Sequence, residues 1–316
     1  MVDAAQSRSG STTVGLSHGP YRADVAATGA GLRSLTRGGR ALTETWPAGE
    51  KPPLSAGLVL APWPNRTRDG RYSFEGETYQ LEITEPSRNN ASHGLVRRRD
   101  WDEVERSESA VTHAIEIGGE QGWPHRLRLT ARHSLGDDGL TVTHTAENIG
   151  DRNAPFGMGV HSFVRAGDAP LNTCTLRLCA GVRLPLDPKR NLPSGGPVQV
   201  HGGDDFSEAR TLDGVWLDTP FSALLPDGDG IARQYLTPPD GRATVLWTDS
   251  AFPWVQVFTA DPDHDQAYPD RGRALAIEPM SCPPDALNSG VSLVVLEPGD
   301  TWTGRWGIRE DDGRLS

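Results

Sequence analysis

The chain has 316 residues, with 31 basic and 42 acidic side chains and a formal net charge of −11, a balance that excludes a general nucleic-acid binder, whose phosphate contacts need a basic face. No stretch approaches the ~18 consecutive apolar residues of a membrane span, and the polar start, Met1 to Gly15, lacks the apolar core of a secretory signal. Three cysteines, Cys174, Cys179 and Cys282, are too few and odd in number for a disulfide framework, so free thiols in a reducing cytoplasm are expected.

Residues 1–17 read as a disordered leader, 18–310 as one domain and 311–316 as a tail. Within the domain the hydrophobic period is two. Tyr72-Ser73-Phe74, the break Glu75-Gly76-Glu77 and the run Thr78-Tyr79-Gln80-Leu81 predict a hairpin. The run Arg97-Arg98-Arg99 reads as a solvated strand end or loop. Leu127, Leu129 and Ala131 alternate with Arg128, Thr130 and Arg132. After Gly136-Asp137-Asp138-Gly139, Leu140, Val142, His144 and Ala146 alternate with polar residues, which predicts a second hairpin. The Gly/Pro/Asp-rich stretch 184–205 reads as a long surface loop. Further strands are expected at 243–248, 254–260, 273–277 and 292–296, with a last one around 302–308. The 36 glycines and 25 prolines imply many turns, and no amphipathic helix of three turns survives them. The fold class is all-β, a large single-domain sandwich or barrel.

None of the nine histidines forms His-x-His or His-Glu-x-x-His, and the Cys174/Cys179 pair has no second pair nearby. No phosphate-binding loop, dinucleotide fingerprint or Gly-x-Ser-x-Gly elbow is present. The expectation is chemistry without metal or cofactor.

Four polar signatures remain. Pro62-Trp63-Pro64-Asn65-Arg66 presents an indole, an amide and a guanidinium on a stiffened loop, groups that suit a sugar's apolar face and its hydroxyls. Ser92-His93-Gly94 puts an imidazole in a polar loop. Gly159-Val160-His161-Ser162-Phe163 sets a lone ionisable group among small and apolar residues, the setting of either a core histidine or a tuned catalyst. In Ala274-Leu275-Ala276-Ile277-Glu278-Pro279-Met280, Glu278 shares a strand face with Ala274 and Ala276, which leave space before its carboxylate. Pro279 is expected to stop the ladder there. A bystander glutamate in such a run is costly to bury.

Together with Asp69-Gly70-Arg71-Tyr72, Trp101, Gly122-Trp123-Pro124, Leu217-Asp218 with Pro220-Phe221, and Pro284-Asp285-Ala286-Leu287-Asn288, these signatures resemble the aldose 1-epimerase (mutarotase) family from about Gly19 to Ile308. The resemblance implies a large antiparallel β-sandwich, no metal, and interconversion of the α and β anomers of free sugars. By matching motifs it implies Glu278 as general base and His161 as general acid, with Arg66, His93, Asp218 and Asn65 binding the monosaccharide. Asp213 rivals Asp218, since both follow leucine; the following Pro220 and Phe221 favour Asp218. Two departures bear on sugar preference: His161-Ser162-Phe163-Val164 stands where His-Pro-Tyr-Phe is usual, and Ser92 precedes His93 where an apolar residue is common.

The residue types fit this chemistry. An ionised carboxylate takes the C1 hydroxyl proton while a protonated imidazole supplies one to the ring oxygen, so that the acidic limb of a pH profile would belong to Glu278 and the basic limb to His161. A glycosidase would normally pair two carboxylates instead. Two alternatives stand beside this reading. A sugar-phosphate mutarotase of the same superfamily would need extra cations at the pocket rim, for which Arg97, Arg98 and Arg99 are the dense candidate. A catalytically silent sugar-binding or sensing protein would not need both His161 and Glu278.

Overall fold

The computed structural model describes residues 12–311. All pairings between its strands are antiparallel, in a nine-stranded sheet, an eight-stranded sheet, a four-stranded sheet and three strand pairs. The predicted hairpins form as Arg71–Phe74 with Glu77–Gln80 and Leu127–Gly136 with Gly139–Asn148. In the second, burial alternates residue by residue along Leu127–Gly136 and from Leu140 to Asn148, as a sheet with one wet face requires. Among the described residues the single α-helix is one turn, Ala286–Ser289, and no helix is long and apolar enough to cross a membrane. All three cysteines are free.

The ordered fold begins within the stretch expected as a leader. Thr13–His18 is a strand paired along its length with Tyr21–Ala26, because Val14 and Leu16 alternate inward and are buried. At the other end Asp311 closes the strand Thr301–Asp311 and pairs with Ala243, so it belongs to the sheet rather than to a tail. Residues 1–11 and 312–316 lie outside the described residues.

The strands Asp218–Leu224, Trp254–Ala260 and Ala274–Met280 are neighbours in the eight-stranded sheet, and the last two are buried along their whole length. Strand parity divides them. Val255, Val257, Leu275 and Ile277 join the main core with Leu129, Val142, Leu246 and Trp306 of the nine-stranded sheet. Phe258, Ala260, Ala274 and Ala276 point the other way, into a smaller cluster with Trp46, Ala56, Phe163 and Tyr268. That second face carries the polar residues described below.

Pro279 does not end its strand. Ala274–Met280 runs past it, pairing Val255 with Pro279 and Trp254 with Met280. A proline lacks a ladder donor, yet the carbonyl of its register partner Val160 accepts from Ser162 N–H (2.9 Å), so no hydrogen bond is forfeited. The stretch 184–205 is also more than surface loop: Leu184, Asn191 and Leu192 are buried in it.

Candidate active site

The break between Gly159–Val160 and Phe163–Val164 is where the polar residues gather. Gly159 pairs with Met280 and Phe163 with Ala276, so by register His161 stands opposite Glu278. On the other side of Ala274–Met280, Gln256 is the direct partner of Glu278. Three polar groups therefore lie in a row across three chain segments. The backbone at His161 is held by the neighbouring segment: its N–H donates to Leu58 O (3.1 Å) and its carbonyl accepts from Gly57 N–H (2.8 Å).

His161 Nε2 lies 3.5 Å from Glu278 Oε1, and the two residues are 7% and 2% exposed. The His161 ring stacks on Phe163 (centroids 5.3 Å apart, 18° between planes) and meets the edges of Phe258 and His93. Burial favours the neutral form of both groups. It pushes the Glu278 carboxyl well above its usual range, helped by the charge of Asp218. It pulls the His161 imidazole down to about 3, helped by Arg97 and Arg66. This reverses the charge states expected from the residue types alone. Both directions favour a proton on the carboxyl over one on the imidazole.

The walls come from two further segments. Arg66–Arg68 pairs with Asn90–Ser92, placing Arg66 opposite Ser92 and next to His93. Arg66 Nε and Nη2 donate to the two oxygens of Glu85 (2.8 and 3.0 Å), and its Nη1 donates to Asn65 Oδ1 (3.3 Å). Asn65 Nδ2 donates to Gln256 Oε1 (3.3 Å), and Gln256 Nε2 donates to Asp218 Oδ1 (2.7 Å). Asn191 Nδ2 donates to the other Asp218 oxygen. The chain Glu85–Arg66–Asn65–Gln256–Asp218–Asn191 fixes each rotamer through its neighbours, a pre-organised polar rim. Asn65 and His93 both adopt left-handed backbone, at φ +53° and +61°, a conformation that Asn and His tolerate better than most residues.

Glu278, His161, Arg66, His93, Asn65 and Asp218 all line one cavity of about 220 Å³. Asp213 is exposed and lines a different cavity beside Trp216 and His264. Asp218→Asn is therefore expected to lower kcat/KM by about tenfold or more, from a lost charge-assisted contact. Asp213→Ala should stay within about twofold of the parent protein. Steady-state kinetics on both variants decides the assignment, and a larger loss for Asp213→Ala would contradict it.

Three residues that line the pocket, Gln256, Glu85 and Arg97, and one that bonds Asp218 from behind it, Asn191, carry weak signals in the sequence. Gln256 is uncharged in an apolar strand, and register alone shows its place. Glu85 and Asn191 sit in loops, with nothing local to mark them. Arg97, read as solvated, is 9% exposed and lines the cavity.

Known proteins are similar over nearly the whole chain. The family profile "Aldose 1-epimerase" matches residues 12–309. The uncharacterized protein YihR of Escherichia coli K12 is 33% identical over 293 residues, 91% of this chain and 89% of that protein. The structure of the GalM/aldose epimerase homologue from C. elegans superposes with a TM-score of 0.83 at 18% identity, covering 95% of this chain and 99% of that one. The galactose 1-epimerase of Lactobacillus acidophilus NCFM superposes with a TM-score of 0.78 at 17% identity, over 95% and 94%. With its antiparallel sandwich and a profile match spanning almost every described residue, the chain belongs to the aldose 1-epimerase family.

Proposed function

We propose that the protein is an aldose 1-epimerase that interconverts the α and β anomers of a free monosaccharide. The observation that carries this reading is the Glu278–His161 pair, 3.5 Å apart, in a cavity of about 220 Å³. That volume is below the roughly 300–1,000 Å³ of drug-sized sites and suits one sugar unit rather than an oligosaccharide.

Glu278 takes the C1 hydroxyl proton while His161 gives one to the ring oxygen, and the C1–O5 bond breaks to leave the open-chain aldehyde. Rotation about C1–C2 presents the other carbonyl face. The reverse transfers then close the ring. The transfers turn a carboxylate and an imidazolium into a neutral acid and a neutral imidazole, the forms that burial favours. An imidazolium of such low pKa is a strong acid, and a carboxylate of such high pKa is a strong base. The reactive tautomer is scarce but potent. Arg66, His93, Asn65 and Asp218 bind the sugar and orient it.

Polarimetry of a freshly dissolved α-aldose tests this reading. The protein should relax rotation far faster than buffer; sugar binding without acceleration would mark a silent binding protein instead. The pH profile follows from the shared proton. With the His161 pKa pulled down to about 3 and that of Glu278 raised, the pair carries one proton across the middle range, so kcat is flat there. It falls on the acid side only as His161 takes a second proton, and on the alkaline side as Glu278 loses the shared one. Activity at pH 4 should remain above roughly half of that at pH 6. An acid limb at the ordinary glutamate value of 4.5 would contradict the assignment.

A further inference from the structure

One group in the cavity has no work in the opening of a neutral sugar. Arg97 lines the pocket with Ser55, Ser92, His93 and His161 and is buried. Its Nη1 donates to Ser55 Oγ (2.9 Å) and its Nη2 to Ser92 Oγ (3.5 Å). Among the described residues no carboxylate forms an ion pair with it. Glu85 is the one carboxylate whose charge bears on Arg97, and both Glu85 oxygens are taken by Arg66. Burial, with the neighbouring Arg98, pulls the Arg97 pKa down to about 10. A buried guanidinium satisfied only by two hydroxyls is costly unless a ligand supplies the counter-charge.

The backbone holds Arg97 in place. Gly94 lies at φ +66°, where a Cβ would stand 2.0 Å from Ala61 O, and Gly29 lies at φ +61°, where a Cβ would stand 2.7 Å from Arg97 O. Both contacts need glycine. They press the turn that carries Arg97 against two neighbouring segments.

Position along the sugar follows from the acid and the base. Arg97 Nη2 reaches Ser92 beside His93, whose ring meets the His161 ring with centroids 5.8 Å apart, whereas Glu278 is paired with Gln256, which donates to Asp218. Arg97 therefore stands at the imidazole end of the site. His161 serves the ring oxygen, which bonds C1 on one side and C5 on the other. C1 must keep a free hydroxyl for Glu278. The substituent left at the imidazole end is C6, carried by C5.

We propose that the pocket selects an aldohexose whose C6 bears an oxyanion, with Arg97 pairing to that group while Glu278 and His161 act on C1 and the ring oxygen. This rests on the mutarotase reading and names its substrate class. Carboxylate, phosphate and sulfate share the chemistry that a guanidinium recognises. Binding also assists the acid. Glu278, Arg97, Arg66 and His93 are the titratable groups around His161, and an anion on Arg97 cancels one of the two cations that disfavour the imidazolium.

The test measures anomer exchange by saturation transfer between anomeric proton signals, for glucose, glucuronate, glucose 6-phosphate and glucose 6-sulfate. At low salt, at least one anionic sugar should exceed glucose in kcat/KM by about tenfold or more, and the arm with the largest ratio identifies the anion. In Arg97→Gln the anionic-to-neutral ratio should collapse towards one, and Arg97→Lys should keep part of it. If Arg97→Gln does not fold, the selectivity of the parent protein and of Arg97→Lys still decides. Glucose matching every anionic sugar, or an unchanged ratio in Arg97→Gln, overturns the proposal and leaves the mutarotase standing. Exchange of no sugar at all, neutral or anionic, overturns the mutarotase reading itself.

Discussion

Glu278→Gln is expected to lose roughly 10²–10⁴-fold in kcat, about 3–5 kcal/mol of barrier, while still binding sugar within about tenfold of the parent protein. The amide keeps the shape of a residue that is 2% exposed and keeps hydrogen-bonding capacity towards His161. It cannot accept the C1 hydroxyl proton at neutral pH. Folding should survive, because burial and Asp218 already favour an uncharged group at this position. A thermal midpoint close to that of the parent protein, read beside stopped polarimetry and a calorimetric sugar titration, is the expected set of results. Retention of more than half of kcat would move the base elsewhere.

His161→Gln should cost a similar roughly 10²–10⁴-fold in kcat with a smaller change in KM. Its ring is clamped between Phe163 and the edges of Phe258 and His93, so the substitution also loosens packing, and a lower thermal midpoint is expected. Steady-state kinetics separates the effects: a packing defect alone raises KM or lowers the active fraction, whereas loss of the acid lowers kcat of correctly folded protein. If kcat stays above half, the acid role passes to His93, the other imidazole lining the cavity.

Much of the frame was legible before any coordinates. The strands Ala243–Thr248 and Trp254–Ala260 begin and end where apolar runs meet Gly, Asp and Pro, since burial on both faces imposes such runs directly. Glu278 stood out because a carboxylate in an apolar strand needs a reason. Pro279 misleads, because the rule that proline ends a ladder assumes that the opposite carbonyl is left without a donor, and here Ser162 N–H supplies one to Val160. Gln256 and Asn191 were invisible because their roles arise from register and from a loop folded back over the sheet, neither of which leaves a local pattern. Arg97 was read as solvent-facing by its company, Arg98 and Arg99. Those two are exposed, but the turn sends the first of the three inward. The protonation preferences of Glu278 and His161 were legible least of all, because burial shifts them, and burial belongs to the fold rather than to the motif.

The central claim is that Glu278 and His161 act as one acid–base unit on one proton pair. The measurement that tests it most directly compares kcat of His161→Gln, Glu278→Gln and the double variant under identical conditions. Groups acting as a unit are strongly non-additive. The double variant is predicted to fall within a few-fold of the slower single variant. Losses that multiply, with the double variant slower by the full product of the two single effects, would show two groups acting independently and contradict the account.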